Sequence, residues 1–256
     1  MAFENSATLG ILGGGRAAWA FASAWRRVGL PLSGVWLRPQ STSALPELLG
    51  APRADVGTLA ATSDLLLIAV SDRAIEEVAA QVPETRAIVF HASGALLSVR
   101  GGFSLHPLRS LPPVGQPSDL RDTLLVFEGA HRDVAASIAN AVGARFAEVA
   151  AEEKARYHAA AVFGANYVAA VLDIAERLMR EAGVAGVRED LVRLAESAIA
   201  NWRSHTDARR FTGPAIRGDR DVVRRHLGAL SDEPQLSKIY ELLAAEIGGS
   251  KLAGEE

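Results

Sequence analysis

Three consecutive glycines, Gly13–Gly15, lie between a short apolar segment and a helical pattern near the start of this chain. The apolar segment Thr8–Leu12 predicts a strand, and Ala17–Val28 predicts a helix that ends at Gly29. A strand that passes through a glycine turn into a helix is typical of a βαβ unit. The feature therefore favours a parallel sheet covered by helices.

The same alternation continues to about residue 150. The run Asp64–Val70 is apolar throughout, as is typical of a strand that is buried on both faces of a parallel sheet. This order predicts a doubly wound α/β domain with a parallel sheet over residues 1–150. Further strands are predicted at Gly34–Leu37, Ala54–Val56, Ala87–Phe90, Gly102–Leu105, Thr123–Phe127 and Arg145–Val149, and further helices at Asp72–Val82 and Asp133–Val142.

The second half contains no convincing strand pattern, and it predicts an all-helical domain over residues 151–256. The predicted helices are Ala151–Ala182, Val187–Arg203, Asp219–Leu230 and Glu233–Ile247.

Composition excludes several classes of protein. With 49% hydrophobic residues and a net charge of −3, the chain can bury a core and is not intrinsically disordered. The absence of cysteine excludes a disulfide scaffold and cysteine-ligated metal, and we expect no metal site. Acidic residues outnumber basic ones, 30 to 27, so we expect no nucleic-acid partner. We find no targeting segment, and the longest aliphatic run, Leu65–Val70, is too short to span a membrane; we therefore expect a soluble cytoplasmic protein without membrane contact.

The glycines have the spacing Gly13-x-Gly15-x-x-Ala18. The first glycine allows a tight turn, the second lets the backbone approach a pyrophosphate, and the small third residue lets the helix pack on its strand. The spacing predicts a dinucleotide site that includes Gly13, Gly14, Gly15, Arg16 and Ala17. The alternative is a glycine turn that binds another ligand or none.

The residues after the second strand indicate which dinucleotide binds. An NAD site needs an acidic residue about 20 positions after the glycines, to bind the ribose 2′-hydroxyl. Here Leu37 is followed by Arg38 and then by Ser41, with no acid between them. Since a guanidinium and a hydroxyl suit a 2′-phosphate, we expect NADP(H). The alternative is that Arg38 is a solvated surface residue.

Polar residues follow three other predicted strands, where ligands of open α/β sheets bind. Val70, Ser71 and Asp72 are expected to line the cofactor, although Asp72 could instead cap the next helix. His91 and Ser93 are candidate catalytic residues, and the alternative for His91 is a structural histidine bonded to backbone. His106 is a candidate substrate-binding residue, and the alternative is a loop anchor.

Seven segments together resemble known reductases. Gly10–Ala18, Trp36–Ser41 and Leu67–Ile75 resemble the Rossmann domain of pyrroline-5-carboxylate reductase and ketopantoate reductase. The full set resembles a bacterial group of Rossmann-like NADP oxidoreductases with a C-terminal helical domain of unknown function. The more distinctive segments are His91–Ala95, Leu105–Ser110, Tyr157–Asn166 and Phe211–Asp219.

This resemblance implies a fold like that of the 6-phosphogluconate dehydrogenase relatives, and a homodimer formed through the helical domain. It supplies no substrate. In related reductases the region corresponding to Thr212, Arg217 and Asp219 closes over the substrate, and Arg217 could clamp a carboxylate. The alternative is a simple turn, with Asp219 capping the next helix.

His158 and Asn166 are eight residues apart, which places them on one side of a helix about 12 Å apart. In hydroxyacid dehydrogenase relatives a lysine stands four residues before the asparagine, whereas here that position is Val162. The three lysines are Lys154, Lys238 and Lys251. His158 is therefore the preferred proton donor, and the separation fits one of the two residues near the substrate and the other near the nicotinamide. The alternative is a polar stripe between domains.

Three functions follow from these observations. The first is an NADP-dependent oxidoreductase that transfers a hydride between nicotinamide and a small carbonyl, imine or hydroxy acid. The second is a non-catalytic NADP(H)-binding sensor or regulatory module, because the usual lysine is missing. The third is an interaction protein that has lost cofactor binding.

Overall fold

The computed structural model describes residues 7–248 and contains one seven-stranded sheet. The strands lie in the order β2-β1-β3-β4-β5-β6-β7, and all neighbours are parallel except β5 and β6. The predicted α/β class is confirmed, but the sheet is not wholly parallel. The strands are β1 (Leu9–Leu12), β2 (Leu32–Trp36), β3 (Leu65–Ile68), β4 (Ile88–His91), β5 (Phe103–Pro107), β6 (Leu124–Gly129) and β7 (Arg145–Glu148). No helix forms between β5 and β6, and β6 returns antiparallel.

Eleven α-helices form within the described residues. They are α1 (Arg16–Arg27), α2 (Leu45–Leu49), α3 (Val56–Thr62), α4 (Ile75–Gln81), α5 (Arg132–Val142), α6 (Lys154–Val162), α7 (Val168–Glu181), α8 (Arg188–Ser204), α9 (Pro214–Arg217), α10 (Arg220–Ala229) and α11 (Pro234–Gly248). The long helical pattern at Ala151–Ala182 is confirmed, although a π-helical segment, Phe163–Tyr167, joins α6 to α7.

The predicted strand at Ala54–Val56 is wrong. Arg53 forms a single bridge with Val35, and the chain then turns into α3. The Asp55 carboxylate accepts a hydrogen bond of 2.8 Å from the Thr58 backbone N–H. This N-cap stabilises the helix start and explains why extended structure does not continue.

Alternate residues of β3 pack on opposite faces of the sheet. Leu65 and Leu67 join a core that includes α1 and α5, whereas Leu66 and Ile68 join a core that includes α3 and α4. The prediction that this strand is buried on both faces is confirmed. Helices therefore cover both faces around the strand whose carboxyl end borders the glycine turn.

By contacts, the chain divides into two compact units, Met1–Val168 and Ala169–Glu256. The first contains the sheet, and the described part of the second is helical without strands. By this division α6 belongs with the sheet. The assignment of functional domains at residue 150 stays a prediction.

The helical stretch Ala151–Glu181 is unusually apolar. Its most apolar 18-residue window has a mean hydropathy of 1.4, and none of that window is buried within the described chain. By length and composition alone, this stretch could cross a membrane. One such helix is weak evidence, because a helix with a broad apolar face that packs on protein has the same composition.

A row of polar side chains crosses three neighbouring strands on one face of the sheet. His91 of β4 lies beside Ser104 of β5, which lies beside Glu128 of β6. The Lys154 ammonium, at the start of α6, donates to the Ser104 hydroxyl and to the Glu128 carboxylate, the latter at 3.0 Å. The Lys154 and Glu128 side chains are only 2% and 6% exposed, so this is a buried ion pair.

The Glu128 carboxylate also fixes the connection between β4 and β5. It accepts hydrogen bonds from the Ser98 backbone N–H at 2.9 Å and from the Ser98 hydroxyl at 3.1 Å. Burial raises the pKa of Glu128, but hydrogen bonds from Lys154 and Ser98 outweigh it, and the pKa lies below its ordinary value. The Glu128 carboxylate thus connects the start of α6 to the loop between β4 and β5, which contains no helix.

We expect Lys154→Met to lower the free energy of unfolding by about 3–5 kcal/mol, because it leaves a buried carboxylate without its cation. The double variant Lys154→Met/Glu128→Gln should be more stable than the single one, since the uncompensated charge is gone. Urea unfolding measures both.

The matched control is Lys238→Met, because Lys238 pairs with Glu241 on the surface. That variant should unfold at the wild-type urea midpoint. A Lys154→Met protein as stable as this control would show that the buried pair does not stabilise the fold.

Candidate functional site

An open cleft of about 430 Å³ lies at the carboxyl ends of β1 and β3. The chain places β2 on one side of β1 and β3 on the other, so this is the topological switch point of the sheet. Of the ten residues predicted to bind cofactor, only Asp72 is not part of the lining. The cleft is lined by Gly13, Gly14, Gly15, Arg16, Ala17, Leu37, Arg38, Ser41, Ala69, Val70 and Ser71.

Each of the three glycines is required for a different reason. Gly13 has φ +131°, and a Cβ there would lie 2.3 Å from the Ala69 carbonyl oxygen. A Cβ on Gly14 would lie 2.5 Å from Leu37. At Gly15 the nearest atom would be 4.0 Å away, so the protein itself leaves this space open. An approaching pyrophosphate would use that space, and the site fits a dinucleotide.

Helix α1 begins directly at the cleft. Its N-cap, Gly15, has no side chain to bond the first N–H groups, and the first turn contains no acidic residue. These N–H groups and the helix dipole favour an anion. Ala18 is fully buried, which lets the helix pack closely against the sheet.

The loop after β2 is tied to the glycine turn, since the Ser43 hydroxyl donates to the Gly14 carbonyl oxygen at 2.7 Å. Arg38 is exposed at the rim of the cleft, and within residues 7–248 its guanidinium has no hydrogen-bond or ion-pair partner. Arg53 is instead paired with Glu47 at 2.8 Å. Arg38 is thus available to an added phosphate.

The His91 side chain is hydrogen-bonded to backbone groups. It is fully buried, its Nδ1 accepts from the Ser93 backbone N–H at 3.2 Å, and its Nε2 therefore donates to the Leu97 carbonyl oxygen at 2.9 Å. The Ser93 hydroxyl accepts from the Ala95 and Leu96 backbone N–H groups. Both ring nitrogens of His91 have backbone partners, which is the arrangement of the structural alternative, and the catalytic roles of His91 and Ser93 stay predictions.

The structure instead brings His106, Tyr157 and His158 together beyond the carboxyl half of β5. The His106 Nδ1 and the Tyr157 Oη are 2.6 Å apart, and the His106 and His158 ring centroids are 6.0 Å apart. Gly94 lies against both histidines, because a Cβ there would be 2.7 Å from His158 and 3.0 Å from His106. The predicted residues His106 and His158 are therefore neighbours.

Burial lowers the pKa of His106 to about 4, and positive charge on His158 and Lys154 acts in the same direction. The exposed Asp72 carboxylate acts in the opposite direction. Asp72 begins a 3₁₀ turn, and its side chain does not cap that turn. At neutral pH His106 is therefore an uncharged imidazole.

None of the described lysines is free at this site. Lys154 is held in the buried ion pair, and Lys238 pairs with Glu241 in the second unit. Lys251 lies outside the described residues. The histidines thus remain the candidates for proton transfer, as the sequence predicts.

Asn166 is exposed within the π-helical segment, where the i→i+5 pattern changes the angular relation to His158 that a regular α-helix predicts. In the second unit, Thr212 is exposed and Arg217 pairs with Asp219 at 2.8 Å. The Asp219 carboxylate therefore binds Arg217 and does not cap α10.

The comparisons with known proteins agree with this fold. Residues 124–247 match a family described as a domain of unknown function, DUF2520. No curated protein matches the chain.

Three solved structures are similar over most of their length. The Bacteroides fragilis protein BF3122, provisionally assigned as an NADP oxidoreductase, is 21% identical, with a TM-score of 0.79 over 95% of this chain and 98% of its own. Thermotoga maritima TM1727 is 22% identical, with a TM-score of 0.71 over 95% and 99%. An Aspergillus terreus reductive aminase in complex with NADPH is 17% identical, with a TM-score of 0.62 over 95% of both chains.

At these identities the likeness concerns the fold. The resemblance to Rossmann-like oxidoreductases with a helical C-terminal part is confirmed at that level.

The sequence prediction did not include Tyr157, Gly94 or Glu128 as functional residues. Tyr157 and Gly94 belong to two of the distinctive segments, so the signal was present for both. Glu128 is a single acid at the end of a strand, and only strand pairing shows its role.

We expect Gly15→Ala to weaken NADPH binding at least about tenfold, because the new methyl group occupies the space that a pyrophosphate needs. Its thermal midpoint should stay near that of the wild type, since no protein atom lies closer than 4.0 Å to the added carbon.

Gly13→Ala is the contrasting variant and should lower the thermal midpoint, because its φ of +131° and the Ala69 carbonyl oxygen forbid a side chain. Calorimetry and fluorescence titration separate the two effects. Wild-type affinity in Gly15→Ala would contradict the assigned position of the pyrophosphate.

Proposed function

We propose that this protein is an NADP(H)-dependent oxidoreductase acting on a small carbonyl, imine or hydroxy acid. When bound, the nicotinamide would donate or accept the hydride. The observation that carries the proposal is the cleft at the switch point, with its open space at Gly15 and the unpaired Arg38 at its rim. The solved relatives with NADP(H) in their complexes support the same cofactor class.

Different residues at the strand ends would bind the cofactor and transfer the proton. The glycine turn and the start of α1 would hold the pyrophosphate, and Arg38 would bind the 2′-phosphate. Across the sheet, His106 and His158 would bind the heteroatom of the substrate and supply its proton. This division requires no free lysine.

The competing function is a sensor that binds NADP(H) without turnover. The ion pair of Lys154 with Glu128 favours a sensor, because it leaves no free lysine for catalysis. Three neighbouring side chains favour an enzyme, because they can donate protons in place of the lysine that related enzymes use. They are His106, Tyr157 and His158.

The deciding experiment is NADPH oxidation with a panel of keto acids, imines and aldehydes, followed by absorbance. We expect turnover by the wild type, and at least about tenfold less by His158→Ala with an unchanged Kd for NADPH. His226→Ala is the matched control, because this exposed histidine lies in the second unit. Binding without turnover would favour the sensor, and no binding would exclude both functions.

We expect Arg38→Ala to weaken NADPH by about 10- to 100-fold and to leave NADH nearly unchanged, because only NADPH has the 2′-phosphate that the guanidinium would bind. Arg53→Ala is the matched control, since Arg53 is nearby but paired with Glu47. Competitive titrations measure all affinities. Equal losses for NADPH and NADH would contradict the 2′-phosphate assignment.

We also infer that the second unit forms the interface of a homodimer, as the resemblance implies. Large apolar side chains there are open to solvent, and Leu194, Trp202 and Leu242 are 63%, 64% and 60% exposed. A single soluble chain rarely leaves such residues uncovered together. A second copy of this chain is the occupant that we propose.

A further inference from the structure

Tyr157 and His106 form a close pair between α6 and β5. The Tyr157 Oη lies 2.6 Å from the His106 Nδ1, and the rings meet edge to face with centroids 5.7 Å apart. Tyr157 belongs to α6 and His106 to β5, so the pair depends on how α6 packs on the sheet. The Lys154 ion pair lies one helical turn before Tyr157 and fixes that packing.

The pair is a hydrogen bond between two uncharged groups. Burial raises the pKa of Tyr157 to about 12, so the phenol keeps its proton at neutral pH. Burial lowers the pKa of His106 to about 4, so the imidazole is neutral. The charged groups that act on His106 are His158, Lys154 and Asp72. When the Tyr157 hydroxyl donates to Nδ1, the imidazole hydrogen is on Nε2.

The Nε2–H group of His106 is available to a ligand. Within residues 7–248 it has no hydrogen-bond partner, and the ring is half-buried. His91 provides the contrast, because its Nε2 donates to the Leu97 carbonyl oxygen. Gly94 adds no side chain beside His106, and any Cβ there would lie 3.0 Å from the ring. His106 Nε2 is thus a ring nitrogen that is open to a ligand at the strand ends.

We propose that Tyr157 and His106 form a proton relay, in which Tyr157 holds the hydrogen of His106 on Nε2 and replaces it when His106 protonates the substrate. The inference rests on the proposed function and assigns its proton step to His106. Tyr157 is the positioning residue of this relay.

A carbonyl substrate would take one hydrogen from this relay. As the carbonyl carbon accepts a hydride, the π electrons move to oxygen, and the oxygen takes the hydrogen of His106 Nε2. The Nε2–H bond breaks and an O–H bond forms, while the Tyr157 O–H bond breaks and an Nδ1–H bond forms. Because an alkoxide is more basic than tyrosinate, the transfer is favourable. After the product leaves, the Nδ1 hydrogen returns to the Tyr157 oxygen and Nε2 takes one proton from solvent, which restores the starting tautomer of the half-buried pair.

The first test is nitrogen NMR of ¹⁵N-histidine-labelled full-length protein, with His106→Gln used to assign the signal. We expect neutral His106 with an unprotonated Nδ1 throughout the neutral range, and a mixture of tautomers in Tyr157→Phe. A proton on Nδ1 in the wild type, or an unchanged tautomer in Tyr157→Phe, would overturn the relay. This readout needs no substrate.

The chain offers a matched control in its second unit. There the Tyr240 Oη lies 2.6 Å from the His226 Nδ1, and the ring centroids are 5.6 Å apart, but His226 is exposed. Tyr240→Phe should change the His226 signal and leave the His106 signal at its wild-type position.

The second test uses the carbonyl substrate that the wild type reduces fastest in the panel. We expect Tyr157→Phe to lower kcat about 100-fold with little change in KM or in NADPH affinity, and to alter the solvent isotope effect on kcat. Tyr240→Phe should match the wild type in each quantity. Equal kcat values in Tyr157→Phe and wild type would overturn the relay.

These readouts separate the relay from the proposed function. Loss of NADPH binding in the wild type would overturn the proposed function, whatever tautomer His106 has. The expected tautomer without turnover of any panel member would overturn the relay and leave only a structural pair.

Discussion

A lysine and a glutamate can share a buried site only if each satisfies the charge of the other and hydrogen bonds fill the remaining positions. Lys154 and Glu128 meet this condition with the help of Ser98 and Ser104. The pair joins three parts of the first unit: strand β6, the connection between β4 and β5, and the start of α6. Tyr157 and His158 follow on that helix. Their position beside β5 therefore depends on the Lys154–Glu128 ion pair, which contains none of the proposed catalytic groups.

The two halves of the proposed site use the sheet in different ways. At β1 and β3 the backbone itself makes the site, because the glycine turn and the start of α1 provide unpaired N–H groups and empty space. At β5 the side chains make it, and burial sets their protonation states. A phosphate needs fixed positive ends of dipoles, whereas proton transfer needs side chains that can donate and accept hydrogens. Both kinds of group lie at carboxyl ends of strands in one sheet.

Local patterns predicted the cleft well, since its lining comes from short segments after β1, β2 and β3. The roles of the histidines were harder to predict. His91 and His106 both occur near the carboxyl ends of apolar strands, yet backbone groups occupy both nitrogens of His91 and leave the Nε2 of His106 open. The predicted strand at Ala54–Val56 was wrong because a hydrogen bond also determines the structure there. The Asp55 carboxylate caps the start of α3.

The sequence by itself determined the α/β class, the glycine turn and the absence of an acidic residue where NAD would need one. These depend on hydrophobic periodicity and on backbone freedom, which neighbours along the chain decide. Only the tertiary structure decided that β6 runs antiparallel to β5, that Lys154 is buried against Glu128, and that Tyr157 meets His106. Each of these joins residues at least 18 positions apart in the chain, and the most separated pair, His106 and Tyr157, is 51 apart. Burial and hydrogen bonding between such distant residues exist only once the strands and helices have packed.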